Sequence, residues 1–143
     1  MRISKKAEYA LRAVLELALH APADRGMRSN EIFRATGLPP KFLETTLNEL
    51  RRAGLITSRR GPDGGHWLAR DPAKLSVGSV LAAIDGPLSL PSSTGRSRAT
   101  VADQCLTDLW RRLDEAIHGV VDHVTVDELR RQAEAGSAQD FVI

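Results

Sequence analysis

The chain has a single cysteine, Cys105. One thiol cannot close an internal disulfide, which excludes the small disulfide scaffold. Aromatic residues are nearly as scarce, at 4%, so a core must be built from Leu, Val, Ile and Ala, and that favours helices. No apolar run reaches the ~18 residues that would suggest a membrane span, and no secretory leader pattern is present. The chain is therefore expected to be cytoplasmic, with no membrane contact. Catalytic patterns are absent as well. There is no phosphate loop, no nucleophile elbow and no paired zinc motif, so the chain is not expected to be an enzyme. The 143 residues suit one compact domain with an appended helix.

Net charge is only +2, but it is unevenly spread. Residues 1–70 carry 13 Lys and Arg against 7 Asp and Glu, while residues 71–143 carry 7 against 11. A basic half beside an acidic half points to a polyanion-facing surface on the first. The motif that matters lies in that basic half. Residues 28–70 hold two short helical patterns around Gly37, then a hairpin pattern with a glycine-rich tip. Ser29 is a plausible N-cap for the first helix, and Gly37 allows the left-handed residue that ends it. Pro40 suits the opening turn of the second helix, where its missing N–H costs nothing. Phe42, Leu43, Thr46, Leu47 and Leu50 continue that helix, and Gly54 stops it. Two helices joined by a tight glycine turn form a helix-turn-helix, whose second helix would enter a DNA major groove.

The hairpin strengthens this reading. Leu55–Arg60 and His66–Arg70 read as short strands, and Gly61-Pro62-Asp63-Gly64-Gly65 is a turn that needs positive φ. A hairpin directly after a recognition helix is a wing. Arg59 and Arg60 flank its tip, where they could reach phosphates or a narrow minor groove. Gly61, Gly64 and Gly65 would let backbone approach the duplex, and His66 is expected at the wing tip beside them. At the start of the recognition helix, Lys41, Glu44 and Thr45 are exposed, and Phe42 could touch a thymine methyl. Arg28, Ser29 and Pro40 complete the candidate DNA-binding set.

Around this motif the chain reads mainly α. Ser4 can cap a first helix whose buried face is Tyr9, Ala10, Ala13, Val14, Leu17 and Ala18. Residues 21–27 read as a loop. Ser76 can cap a short helix that stops at Asp85-Gly86-Pro87. Residues 88–100 show little periodicity and many small polar groups, so this stretch reads as a flexible loop, with Ser92, Ser93, Thr94, Gly95 and Ser97 lacking apolar anchors. A long helix over about 101–123 follows. Its apolar positions Ala102, Leu106, Leu109, Leu113, Ile117, Val120 and Val124 form a stripe that suggests a helix–helix seam, widened by Cys105, Trp110 and Val121. Thr125 and Glu128 make a capping box for a last short helix, which Gly136-Ser137 would end. The resulting division is a winged helix-turn-helix domain at 1–87, a flexible loop at 88–100, a dimerisation helix with a short terminal helix at 101–136, and a tail at 137–143.

At this point the residues resemble a known family. MRISKKAEYALRAVLELA, LPPKFLETTLNELRRAGLITSRRGPDGGHWLARDPAKLSVGSVLAAIDGP and CLTDLWRRLDEAI are similar to the Rrf-two (Rrf2) family of bacterial transcription regulators, over roughly residues 1–87 and 103–130. Members include the regulator of iron–sulfur cluster biogenesis and nitric-oxide-sensing repressors. The resemblance implies a winged-helix homodimer that binds double-stranded DNA at a palindromic operator and dimerises through the long helix, with Leu106, Leu109, Trp110, Leu113, Ile117 and Val120 in the seam. Cluster-binding members carry three cysteines around the loop before that helix. Here only Cys105 remains, at the third position. A cluster needs about four ligands, usually thiolates, and two subunits with one cysteine each cannot supply them unless carboxylates or histidines fill in. Glu8 stands where some relatives use an acidic ligand. The expectation is no cofactor, with Cys105 a small buried core residue.

Two smaller readings stand beside these. Asp114, His118 and Asp122 lie at i, i+4 and i+8 of the long helix, as a metal row or a solvated face. Signals could enter the regulator at Cys105 by oxidation, or at a pocket near the long helix that takes an unknown small-molecule effector. The leading reading is a dimeric, sequence-specific regulator, a repressor, without a cluster. The reading from another class is a protein-interaction module that kept the winged helix but lost DNA binding.

Overall fold

The computed structural model of the chain describes residues 2–20, 25–91 and 100–140, with side chains as far as Ser137. The loop residues expected to be flexible, Ser92 to Ser97, lie outside the described residues. Helix α1 (Lys5–His20) is the central element and packs against the two following helices, the wing and both ends of the later chain. Its buried residues are Ala7, Ala10, Ala13, Val14 and Leu17, at the spacing the sequence shows. Three of the five are alanine, so neighbouring backbones come close. Ser4 caps it as expected, its Oγ accepting from the Ala7 N–H at 3.0 Å.

Helices α2 (Ser29–Thr36) and α3 (Pro40–Arg52) form the helix-turn-helix. Gly37 ends α2 in the left-handed region, at φ 70°, and donates its N–H to the Phe33 carbonyl. Pro40 opens α3. The cap of α2 differs from the expectation. The residue in the cap position is Arg28, not Ser29, and no side chain caps there; the Glu31 carboxylate instead reaches back to the Arg28 N–H at 3.2 Å. The Ser29 hydroxyl is engaged elsewhere, as described below.

The wing pairs β1 (Ile56–Arg59) with β2 (Gly65–Leu68), antiparallel, with Ser58 opposite His66 and Arg59 opposite Gly65. Both strands are shorter than the sequence suggests. One contact was not legible: Met27 exchanges both backbone hydrogen bonds with His66, at 3.0 and 2.8 Å, so the end of the presumed loop forms a bridge on the wing's free edge. A short 3-10 turn (Pro72–Lys74) leads to α4 (Val77–Asp85), capped by Ser76 as expected. Asp85 accepts from the Ser4 N–H at 3.0 Å and from its hydroxyl, which ties the end of α4 to the start of α1.

The long helix α5 (Val101–Val121) opens with a capping box that the sequence pattern did not reveal, Thr100 with Asp103. Helix α6 (Val126–Asp140) begins at Thr125, whose hydroxyl accepts from the Glu128 N–H at 3.1 Å. It does not stop at Gly136-Ser137. A glycine inside a helix costs only about 1 kcal/mol against alanine, and neither Gly136 nor Ser137 imposes a turn. The start of α6 returns to the first half of the chain, with Val126 fully buried and its N–H bonded to Leu75 O at 2.8 Å. One core therefore joins α1, α2, α3, the wing, α4 and Val126. No helix among the described residues is long and apolar enough to cross a membrane.

Candidate nucleic-acid interface

Helix α3 turns Leu43, Thr46, Leu47 and Leu50 into the core. That commits the opposite arc to solvent, and Lys41, Phe42, Glu44, Thr45, Asn48, Arg51 and Arg52 are all exposed there. Phe42 is 57% exposed, an unusual position for a phenylalanine. Glu49 leaves this arc to pair with Lys6 of α1 at 2.8 Å, which fixes one flank of the helix.

The other flank faces the wing, and a cleft of about 810 Å³ lies between them. Arg28, Ser29 and Asn30 from the head of α2, Glu44, Asn48 and Arg51 from α3, and Ser58 to Gly61 with Gly64 to His66 from the wing line it. Four arginines against one glutamate make it strongly basic, as a surface for a phosphate backbone should be. The structure thus brings together nine of the predicted DNA-binding residues: Arg28, Ser29, Glu44, Arg59, Arg60, Gly61, Gly64, Gly65 and His66. Pro40, Lys41, Phe42 and Thr45 lie outside the cleft, at the exposed start of α3. Asn30, Asn48, Arg51 and Ser58 line the cleft without having been singled out. Asn48 and Arg51 fall four and seven residues after Glu44, so helical spacing alone could have found them.

The wing is held in place by several ties. The Arg28 guanidinium donates to the Pro62 carbonyl at the tip. The Arg59 guanidinium stacks over the Trp67 ring, 5.1 Å from its centroid. Gly61 and Gly65 take positive φ, 106° and 138°, as the turn requires. A Cβ at Gly64 would lie 2.2 Å from the Arg59 carbonyl oxygen, so this turn admits only glycine there.

His66 does not sit at the tip. It stands half-buried at the base of the cleft, with Nε2 3.0 Å from Ser29 Oγ and Nδ1 2.6 Å from Ser58 Oγ. Burial, more than the neighbouring Arg51, holds its pKa below the ordinary histidine value, and Glu44 opposes the shift.

The long helix presents a different surface. Leu106, Leu109 and Leu113 are 40–44% exposed and Val120 59%, while Trp110 and Ile117 are half-buried. Cys105 is exposed, which corrects the expectation of a buried core residue: the stripe on which it borders is left uncovered by the described residues. Glu8 is also exposed and pairs with Lys5 at 3.1 Å. His118 places Nδ1 2.8 Å from Asp122 and Nε2 3.2 Å from the Leu88 carbonyl. Those two acceptors, Asp122 first, raise its pKa. With both ring nitrogens so engaged and Asp114 3.7 Å from Nε2, the row forms a hydrogen-bonded clasp along one face of α5. A second pocket, about 520 Å³, lies where Leu88, Leu90 and Pro91 meet Trp110, Asp114 and His118.

Comparison with known proteins agrees with this architecture. The Rrf2 family model, described as an iron-dependent transcriptional regulator, matches residues 3–132. The HTH-type transcriptional regulator IscR of Serratia proteamaculans is 35% identical over 130 residues, covering 90% of this chain and 79% of that protein. Among solved structures, CymR, the global cysteine regulator of B. subtilis, superposes with a TM-score of 0.81 at 27% identity, covering 92% of this chain and 98% of that one. IscR of T. potens superposes with a TM-score of 0.76 at 28% identity, covering 95% and 90%. The family description speaks of iron, but the donors of this chain do not fit a cluster. It offers one thiolate, and among the described residues no group of three or more His, Cys, Asp or Glu side chains is arranged to hold a metal ion.

Proposed function

The chain belongs to the Rrf2 family of transcriptional regulators, and on that premise we propose that it is a homodimeric, sequence-specific repressor that binds a palindromic operator without an iron–sulfur cluster. The observation that carries the proposal is the cleft between α3 and the wing, where Arg28, Arg51, Arg59 and Arg60 converge beside an exposed recognition helix. Arginines at the wing supply sequence-independent phosphate contacts, and Lys41, Phe42, Glu44 and Thr45 at the start of α3 supply the reading of base edges. The uncovered stripe of α5 supports a two-fold partner, because apolar side chains left at such exposure gain by burial against a second copy. A two-fold protein reads a two-fold site. Repression asks only that such a site be occupied where it overlaps a promoter. The single thiol supports regulation that does not run through a cluster.

The test is selection of genomic fragments by the purified protein. The expected result is enrichment of fragments that share one inverted-repeat sequence, and transcription from the adjoining promoters that rises when the protein is removed. Retention of no fragment above sheared background at low salt would favour the interaction-module reading and sink this one.

A second reading is favoured by the exposure of Cys105. Oxidation of an accessible thiol at the head of α5 would place a redox signal beside the proposed seam. A peroxide-induced change in DNA affinity that vanishes in Cys105→Ser would establish it, and an equal response in both proteins would exclude it.

A further inference from the structure

Among the described residues, His66 is the only titratable side chain whose ring bridges the head of α2 and the wing. It stands between the Ser29 hydroxyl at the head of α2 and the Ser58 hydroxyl on β1. Its backbone is fixed on the other side by the paired bonds to Met27. The approach is tight: a Cβ on neighbouring Gly65 would lie 2.5 Å from the Gly26 carbonyl carbon. A neutral ring in this bracket accepts from one hydroxyl through its bare nitrogen and donates to the other. A protonated ring donates to both, and both hydroxyls can accept, so the bracket holds in either state. The charged groups around the ring are Arg28 at the head of α2, Glu44 and Arg51 of α3, and Arg59 and Arg60 of the wing. The segment at Gly26 and Met27 adds only backbone there.

We propose that His66 is a positioning residue of the wing, and that a duplex entering the cleft makes its ring take up one proton from solvent, so that DNA binding is coupled to pH. This rests on the DNA-binding reading above. In the free protein burial disfavours the cationic ring, and the guanidinium of Arg51 adds to it, while the Glu44 carboxylate opposes the shift without overcoming it. Phosphates in the cleft neutralise the arginines and add negative charge beside the ring, which reverses the balance. The incoming proton occupies the nitrogen that had been the acceptor, and that serine hydroxyl turns from donor to acceptor. Tighter binding below the free ring's pKa follows by linkage.

The test uses the full chain and a labelled mixed-sequence duplex at low salt, with the affinity of each protein at acid pH divided by its own affinity at alkaline pH. The parent should gain roughly threefold to tenfold more than His66→Gln, tenfold being one unit of difference in ring pKa between free and bound protein. Glutamine keeps hydrogen-bonding capacity toward the serines but cannot charge. The second measurement needs no variant: the His66 ring is titrated by NMR, with and without the duplex, and its pKa should rise on binding. Equal acid-to-alkaline ratios in parent and His66→Gln, or a ring pKa unmoved by DNA, would overturn the proposal while leaving DNA binding intact. A parent that fails to bind the duplex at any pH would overturn both readings.

Discussion

Helices α3 and α5 carry the same kind of apolar periodicity and meet opposite fates. In α3 the leucines at positions 43, 47 and 50 are no more than 2% exposed, because α1, α2 and the wing close over them. In α5 the leucines at positions 106, 109 and 113 remain 40–44% exposed, because among the described residues the core reaches this helix only at its last turn, at Val121. The polar faces differ in the same sense. That of α3 opens into a basic cleft, while that of α5 pairs its charges with one another, as in Arg111 with Asp108 and Glu115 at 2.7 and 2.8 Å. An amphipathic helix announces which face wants cover but not who covers it. α3 is completed inside one chain, and α5 is completed, on the proposal above, by a second one.

The largest effects should separate the two helices directly. Leu47→Ala should cost about 2–5 kcal/mol of folding stability whatever the protein concentration, as a cavity in a closed core does. Leu113→Ala should act mainly through assembly, so its effect on Tm should shrink on dilution, and Leu113→Asp should give a folded monomer by light scattering. If Leu113→Ala proves as costly as Leu47→Ala at every concentration, the stripe is covered within the chain and the comparison breaks.

Next in size is the cleft. Replacing Arg59 and Arg60 together by alanine should weaken binding on all sequences alike and flatten the slope of log K against log salt by about 0.9 for each phosphate no longer neutralised. The same pair of changes on α5, Arg111→Ala with Arg112→Ala, should leave that slope alone; an unchanged slope in the wing variant, or a changed one in the α5 variant, would reverse the assignment of surfaces. A smaller, sharper effect belongs to Glu44. A carboxylate near phosphates gains only where it accepts from a base amine, as from cytosine. Glu44→Ala should therefore relax preference at one position of the site more than it lowers affinity, and a loss spread evenly over all base substitutions would count against that role.

The smallest effect concerns the clasp of α5. His118 has its pKa raised, by Asp122 and then the Leu88 carbonyl. A raised pKa means that the folded chain binds the proton more tightly than the unfolded one. Its contribution is fully present below the ordinary histidine value of about 6.5 and is lost as pH rises through the folded value. Thermal melts of parent and His118→Gln should thus differ slightly in acid and converge in alkali. The opposite sign would mean that the ring is not held as a cation.

Much of the cleft was legible in the sequence. Gly37, Pro40 and Gly54 bound the two helices of the motif, because positive φ and a missing N–H are tolerated at few places in a chain. The glycines of the wing tip were legible for the same reason. Less visible were contacts between residues distant in sequence. Ser29 read as a cap because serine before a helix usually caps, yet its hydroxyl is held by a histidine 37 positions later. Met27 read as loop because one edge bridge leaves no periodicity. Asn48 and Arg51 lie in the cleft only because the wing folds back across their side of α3.

What the sequence determined by itself was local and chemical: the caps at Ser4, Ser76 and Thr125, the glycine and proline turns of the motif, the apolar face of each helix, the concentration of basic residues in the first half, and the single thiol. Those follow from backbone sterics, helical period and residue type, none of which needs a partner to be defined. The tertiary structure decided where α6 docks, that His66 braces the wing instead of standing at its tip, that Cys105 is exposed, and that the described residues leave the α5 stripe uncovered. Each of these depends on which surface comes to lie against which, and periodicity records only that a face is apolar, never what will stand opposite it.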